Sequence, residues 1–155
     1  SNPVVALCLA SSLAAVGNID DAAKLLNKRE SDPAQALVWL RALDYANDAE
    51  RLTKDVEKLS ALLGENDRKY YTGRVAELNH DVTKAIELFD EVMAAEPSHK
   101  QALFRLALNV DLRGEDEEAR ELYERALMSP PVNVACVVNL GILYEDMGNY
   151  RRAMQ

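Results

Sequence analysis

The sequence predicts an all-α chain, an α-solenoid of stacked antiparallel helix hairpins. Only six Gly and five Pro occur among 155 residues, and the commonest residue types are good helix formers. Small residues recur at intervals of 34 residues, as at Ala85, Ala119 and Ala153. Within each interval apolar residues follow a helical spacing, stop at a turn and resume. A hairpin of this kind cannot bury its apolar face alone, so neighbouring copies must stack.

The clearest copy spans residues 100–133. A first helix is expected to stop at Gly114, because glycine readily takes the left-handed conformation that ends helices. A second helix follows and ends before Pro131, since the residue before proline disfavours the helical conformation. The small residues Ala107 and Ala119 mark a close crossing of the two helices.

The other copies vary in how well they keep the period. We predict one array over residues 1–155, in which the segment 33–64 is a shortened, divergent hairpin. The hairpins are 3–30, 33–64, 66–99, 100–133 and a truncated copy, 134–155.

The divergent hairpin has its own local signals. Asn47 followed by Glu50 reads as a capping box that opens a helix, and Gly64 ends that helix. Trp39, the single tryptophan, is expected to pack inside this hairpin, with a partner-facing role as the alternative.

The copy at residues 100–133 resembles a tetratricopeptide repeat. It supplies Leu103, Leu106, Ala107, Gly114, Ala119, Tyr123, Ala126 and Pro131 at the family's offsets. Val110 stands where the family has Tyr, and His80 replaces the turn glycine in the preceding copy. The resemblance implies a right-handed superhelix whose first helices line a concave face, where a peptide or helix of a partner protein binds.

The resemblance also implies which side chains face a partner. They are Tyr70, Tyr71, Arg74, Gln101, Phe104, Arg105, Leu108, Asn139 and Ile142. Arg74 could instead pair with Glu77 along its own helix. The same alternative holds for Arg105 and Asp111, and the tyrosines could be partly packed between helices.

No constellation of residues points to catalysis, a metal or a cofactor. No paired Cys or His spacing suggests zinc, and no phosphate-binding or nucleophile motif occurs. His80 and His99 are expected in turns, as solvated side chains. We therefore expect no enzyme activity.

The charge and the cysteines indicate which ligands are disfavoured and which cellular compartment is expected. The net charge of −8 and the lack of a basic block disfavour direct nucleic-acid or membrane binding. Cys8 and Cys136 lie in apolar stretches, which favours buried free thiols and a reducing, cytoplasmic setting.

We expect a non-catalytic protein-binding scaffold. The alternative is a structural arm of a larger bacterial regulatory protein that self-associates through an uncapped end at Gln155. Residues 139–155 also resemble repeats of bacterial proteins that carry a domain like the C-terminal domain of the RNA polymerase α subunit. That resemblance implies a transcription-linked role, with DNA contacted outside these residues.

Overall fold

A computed structural model describes residues 3–128 and 130–148. This part of the chain contains nine α-helices, one 3₁₀ turn and no strand, which confirms the predicted all-α class. The chain divides into two compact units, Ser1–Leu78 and Asn79–Gln155. The predicted repeat 66–99 therefore has its first helix in one unit and its second helix in the other.

The described part of the first unit contains five α-helices that pack mainly on their neighbours in sequence. Helix α1 packs against α2 and α3, α3 against α4, and α4 against α5. The helices are α1 (Pro3–Ala15), α2 (Ile19–Leu25), α3 (Pro33–Tyr45), α4 (Ala49–Leu59) and α5 (Glu65–Leu78), with the 3₁₀ turn Ser60–Leu62 after α4.

The second unit contains four described helices. Helix α7 packs against both α6 and α8, and α8 packs against α9. The helices are α6 (Val82–Ala95), α7 (Lys100–Leu112), α8 (Asp116–Leu127) and α9 (Val134–Asp146). Residues 149–155, where the second helix of the truncated repeat was predicted to begin, lie outside the described residues.

The small residues of the 34-residue period are buried as predicted. Ala85, Ala107 and Ala119 are each fully buried. Tyr123 is also fully buried, as is Phe89 one period earlier. A methyl group at the helix crossing and an aromatic ring beside it therefore fill the same places in successive hairpins.

The turns between helices use left-handed residues, as the glycine pattern predicts. Gly114 has a φ of 83° directly after the C-cap of α7, and Gly17 has a φ of 80° after α1. His80 takes the same conformation after α5 with a φ of 60°. A side chain at this φ crowds the backbone, so His80 carries strain that glycine avoids.

The predicted capping box at Asn47 is wrong by one residue. Helix α4 begins at Ala49, and its N-cap is Asp48, whose Oδ1 accepts a hydrogen bond from the Arg51 backbone N–H at 3.1 Å. Asn47 instead forms the turn with a φ of 55°. Asparagine tolerates the left-handed conformation better than most residues, which frees Asp48 to cap the helix.

Trp39 packs inside the divergent hairpin, as predicted. Its ring is buried, and its Nε1–H donates to Asp55 Oδ2 at 2.6 Å, which joins α3 to α4. The guanidinium of Arg29 covers the ring at 4.8 Å from its centroid, an arrangement that favours the cation.

The two cysteines differ in their exposure to solvent. Cys136 is buried, as predicted, and burial raises the pKa of its thiol to about 11. The prediction for Cys8 is wrong, because this residue is exposed. Helix α1 has apolar residues around most of its circumference, so its sequence did not show which face is covered.

Candidate functional site

On helix α5 the predicted partner-binding residues are buried. Tyr70 and Tyr71 are both buried, and Arg74 exposes only 2% of its surface. The two rings stand edge to face with their centroids 5.1 Å apart. These three side chains therefore belong to the interior of the first unit, and the partner-binding role given to them stays a prediction.

Arg74 is held by two carboxylates. Its Nε and Nη2 both lie 2.8 Å from Asp44 Oδ1 on α3, and its Nη1 lies 2.7 Å from Glu77 Oε1. The Tyr70 hydroxyl donates to the other Asp44 oxygen at 3.3 Å. The alternative that Arg74 pairs with Glu77 along its own helix is thus observed. A ligand carboxylate would have to displace these bonds to reach Arg74.

The electrostatics explain why this buried charge is tolerated. Burial opposes the charged form of Arg74. The negative charges of Asp44 and Glu77 favour that form more strongly, so the pKa of the guanidinium is raised. Burial likewise raises the pKa of the Tyr71 hydroxyl. Removing one member of such a network leaves an unpaired buried charge, which is strongly destabilising.

On helix α7 the equivalent positions lie at the surface. Gln101 is exposed, and Phe104, Arg105 and Leu108 are half-buried. The Arg105 guanidinium lies 5.7 Å from the centre of the Phe104 ring. These residues recur at three- and four-residue steps, so they share one side of the helix.

On helix α9 a second set of residues faces the same way. Asn139 is half-buried and Ile142 is exposed. Ile142 follows Asn139 by three residues and Asp146 follows it by seven, so these three share a side of α9. Val138 lies four residues before Ile142, at the outer edge of that side. Val137 lies on the other flank of α9. Tyr144 lies on that same flank, and its hydroxyl donates a hydrogen bond to Glu124 on α8.

Tyr123 on α8 joins the exposed sides of α7 and α9. Its hydroxyl donates to Asp111 Oδ2 on α7 at 3.1 Å and accepts from Asn139 Nδ2 on α9 at 3.3 Å. The Asn139 amide is therefore partly committed to an internal bond. Burial raises the pKa of the Tyr123 hydroxyl, so it remains a neutral donor at physiological pH.

These contacts define one surface, which we call the α7–α9 face. It consists of Gln101, Phe104, Arg105, Leu108, Asp111 and Leu112 from α7 with Val138, Asn139, Ile142 and Asp146 from α9. Leu112 and the joining role of Tyr123 were not predicted from the sequence. Leu112 follows Leu108 by four residues, a spacing that already placed it on this side of the helix.

Carboxylates gather at one end of the α7–α9 face. Partial burial raises the pKa of Asp111, the Tyr123 hydrogen bond lowers it, and the charges of Asp116 and Asp146 raise it further. Both α7 and α9 end here, at Leu112 and Asp146. The C-terminal ends of their backbone dipoles therefore add negative potential.

One histidine caps a helix and the other lies in a turn. His99 is the N-cap of α7, and its Nδ1 accepts a hydrogen bond from the Ala102 backbone N–H at 3.1 Å. His80 is exposed in its turn. Within residues 3–128 and 130–148 no group of three or more His, Cys, Asp or Glu could hold a metal ion. No described helix is long and apolar enough to cross a membrane.

Comparison with known proteins identifies the family. A tetratricopeptide-repeat family model matches residues 70–133, and a second one matches residues 3–64. Together the two matches cover most of the chain. The chain belongs to the tetratricopeptide repeat family.

The chain is similar over about half its length to photosystem I assembly proteins named Ycf3. The chain is 31% identical over 84 residues to the photosystem I assembly protein Ycf3 of Prochlorococcus marinus strain MIT 9215, covering 52% of this chain and 49% of that protein. It is 32% identical over 82 residues to Ycf3 of Synechococcus sp. strain CC9902, covering 51% and 47%. The chain thus spans about half the length of the curated relatives it matches.

Solved structures of low sequence identity share the fold. A thermophilic tetratricopeptide-repeat protein of Thermus thermophilus superposes with a TM-score of 0.69 at 18% identity, covering 97% of this chain and 86% of that one. MamA from Desulfovibrio magneticus RS-1 gives 0.68 at 20% identity, covering 98% and 89%. MamA of strain AMB-1 gives 0.65 at 23% identity, covering 96% and 90%.

Proposed function

We propose that this chain is a non-catalytic scaffold that binds a peptide or helix of a partner protein on the α7–α9 face. The proposal rests on a difference in exposure between equivalent positions of successive repeats. On α5 these positions are buried around the internal network of Arg74, whereas on α7 and α9 they are exposed or half-buried and include apolar side chains. A surface of that kind suits a protein ligand better than a small molecule.

The relatives support an interaction role. Ycf3 is named for assembling photosystem I, and we carry over only the general idea of holding other proteins during assembly. The His99 imidazole accepts a backbone hydrogen bond at the start of α7, and His80 is exposed in its turn. We therefore propose that the chain is not an enzyme and does not itself contact nucleic acid.

Site-specific photocrosslinking tests this proposal. A photoreactive amino acid replaces Leu108 in the centre of the face, and a matched variant carries it at Glu87, an exposed position on α6. In cells of the source organism the Leu108 probe should give a discrete crosslinked protein that the Glu87 probe does not. Equal crosslinking from both positions, or none from Leu108, would contradict the proposal.

Self-association is a second candidate. Residues 149–155, on which its sequence argument relied, lie outside the described residues. The observation that favours it is the apolar side of α1, where Val4, Val5 and Leu9 are exposed. Light scattering of the wild type and a Val5→Asp variant tests it: a concentration-dependent dimer that the variant abolishes is expected, and a wild-type monomer at all concentrations would contradict it.

A further inference from the structure

Both helices of the α7–α9 face expose apolar side chains. Leu112 exposes 65% of its surface, and Val138 and Ile142 each expose 53%. The half-buried Phe104 and Leu108 extend this apolar strip along α7. Burying several such side chains against a partner provides the main favourable free energy of docking.

The strip has the dimensions of a short helix. From Phe104 to Leu112 the helix rises about 12 Å at 1.5 Å per residue. Two to three turns of a partner helix cover that distance, and they present apolar side chains at three- and four-residue steps. Helices laid into apolar grooves are recognised in this way.

The charge of the face selects the partner. Asp111, Glu145 and Asp146 lie at the end where α7 and α9 terminate, and the backbone dipoles add to their negative potential. The region 79–155 has 14 acidic and 8 basic residues, a net charge of −6. Arg105 lies beside Phe104, at the other end of the strip. Arg113 follows Leu112, but it pairs with Glu115 at 2.6 Å, so the potential is negative mainly at the end of the strip near Asp146.

We propose that the α7–α9 face binds an amphipathic helix of a partner protein whose apolar stripe is flanked by Lys and Arg. This proposal rests on the scaffold function above and specifies the chemistry of its ligand. The partner's cations lie at the end of the strip near Asp146, where they relieve the repulsion among Asp111, Asp116 and Asp146. Apolar contacts provide affinity, and the charge complementarity provides selectivity and a faster association rate.

A second copy of this chain fits the face less well. The exposed apolar side of α1 is the obvious donor helix, but the segment PVVALCLASSLAA contains no Lys or Arg. Docking α1 would leave the carboxylates at the end of the face without a counter-charge. A separate basic partner is therefore favoured over self-association at this face.

The test uses designed peptides and the full 155-residue chain. One peptide of about 18 residues, long enough for the two to three turns needed, carries a Leu stripe flanked by Lys. A second replaces every Lys by Glu, and a third scrambles the Lys peptide so that the stripe is lost. Fluorescence anisotropy gives the dissociation constants at low and high salt. We expect the Lys peptide to bind at least about tenfold more tightly than either other peptide, with affinity falling as salt rises.

Two adjacent valines provide a matched pair of variants. Val138 lies on the face and Val137, with 49% of its surface exposed, lies on the other flank of α9. Val138→Asp should weaken binding of the Lys peptide at least about tenfold, because it removes an apolar contact and buries a charge. Val137→Asp should change the dissociation constant less than about twofold. If Val138→Asp does not fold, Leu112→Asp takes its place.

Each possible outcome either supports or overturns the proposal. A preference for the Lys peptide that Val138→Asp abolishes and Val137→Asp retains supports the proposal. Equal or tighter binding of the Glu peptide overturns the basic partner while leaving the scaffold function to the crosslinking result. Equal binding of the scrambled peptide would show that charge attraction alone explains the binding, and it would overturn the proposal that the ligand is an amphipathic helix. Binding of none of the three also overturns this proposal, whatever the crosslinking shows.

Discussion

Helices α5 and α7 occupy the same place in successive repeats, yet the side chains predicted to face a partner have different surroundings on each. Arg74 on α5 is enclosed by Asp44 and Glu77. Arg105 on α7 is half-buried and lies beside Phe104. Repeat position determines the side of a helix on which a residue lies, but the neighbouring elements determine whether that side is exposed.

The largest expected effect distinguishes these two arginines. Arg74→Ala should lower the free energy of unfolding by about 3–5 kcal/mol, because the largely buried carboxylates of Asp44 and Glu77, with 14% and 12% of their side chains exposed, would lose their cation. Arg105→Ala should change it by about 0.5 kcal/mol or less, as surface substitutions usually do. Urea unfolding followed by circular dichroism measures both. Similar losses for the two variants would remove the distinction between α5 and α7.

A helix-crossing variant tests the repeat register that makes the comparison valid. Ala119 is fully buried in the crossing, so Ala119→Trp should lower the free energy of unfolding by about 3 kcal/mol through overpacking. The control is Ala94→Trp at an exposed position on α6, which should cost little. An unchanged melting temperature for Ala119→Trp would show that the register is incorrect.

The turns after α5 and α7 provide a reciprocal pair of smaller effects. His80→Gly should raise the free energy of unfolding by about 0.5 kcal/mol, because glycine relieves the left-handed strain at some entropic cost. Gly114→His, at the equivalent turn with a φ of 83°, should lower it by about 1 kcal/mol. Thermal unfolding of both variants checks the pair, and a loss of stability in His80→Gly would indicate a stabilising role for the imidazole.

The smallest expected effect is a pH dependence at the α7–α9 face. Burial raises the pKa of Asp111 above 3.8, so the folded chain holds this proton more tightly than the unfolded chain. The resulting stabilisation is present below pH 3.8 and is lost as the pH rises through the folded-state pKa. The free energy of unfolding of the wild type minus that of Asp111→Asn should therefore fall between about pH 3.5 and 6.5 in urea titrations. A rising difference would contradict the assignment.

The sequence predicted the repeated parts of the fold well. The 34-residue spacing of Ala85 and Ala119, and the stop at Gly114, follow from local rules of helix packing and turn geometry. Those rules require no knowledge of distant residues. Helix α7 accordingly ends at Leu112, two residues before Gly114, and α8 ends at Leu127, before Pro131.

The sequence predicted the burial of the α5 side chains only in part: packing of the tyrosines and the Arg74–Glu77 pair were alternatives, but the bond from Arg74 to Asp44 was not predicted. Asp44 precedes Arg74 by 30 residues and belongs to the divergent hairpin, which breaks the period. No local pattern shows that this carboxylate reaches Arg74. The exposure of Cys8 was missed for a related reason, since a helix that is apolar on most sides does not reveal its buried side.

Hydroxyl-radical footprinting of the unmodified chain tests the central contrast most directly. Tyr45 exposes 73% of its surface and serves as the internal reference for the buried Tyr70 and Tyr71. Mass spectrometry should show rapid oxidation of Tyr45, Leu112 and Ile142 and strong protection of Tyr70 and Tyr71. Adding the Lys-flanked peptide should then protect Leu112 and Ile142 and leave Tyr45 unchanged. Oxidation of Tyr70 and Tyr71 at the rate of Tyr45 would contradict the account, because the α5 side would then be as open to a partner as the α7–α9 face.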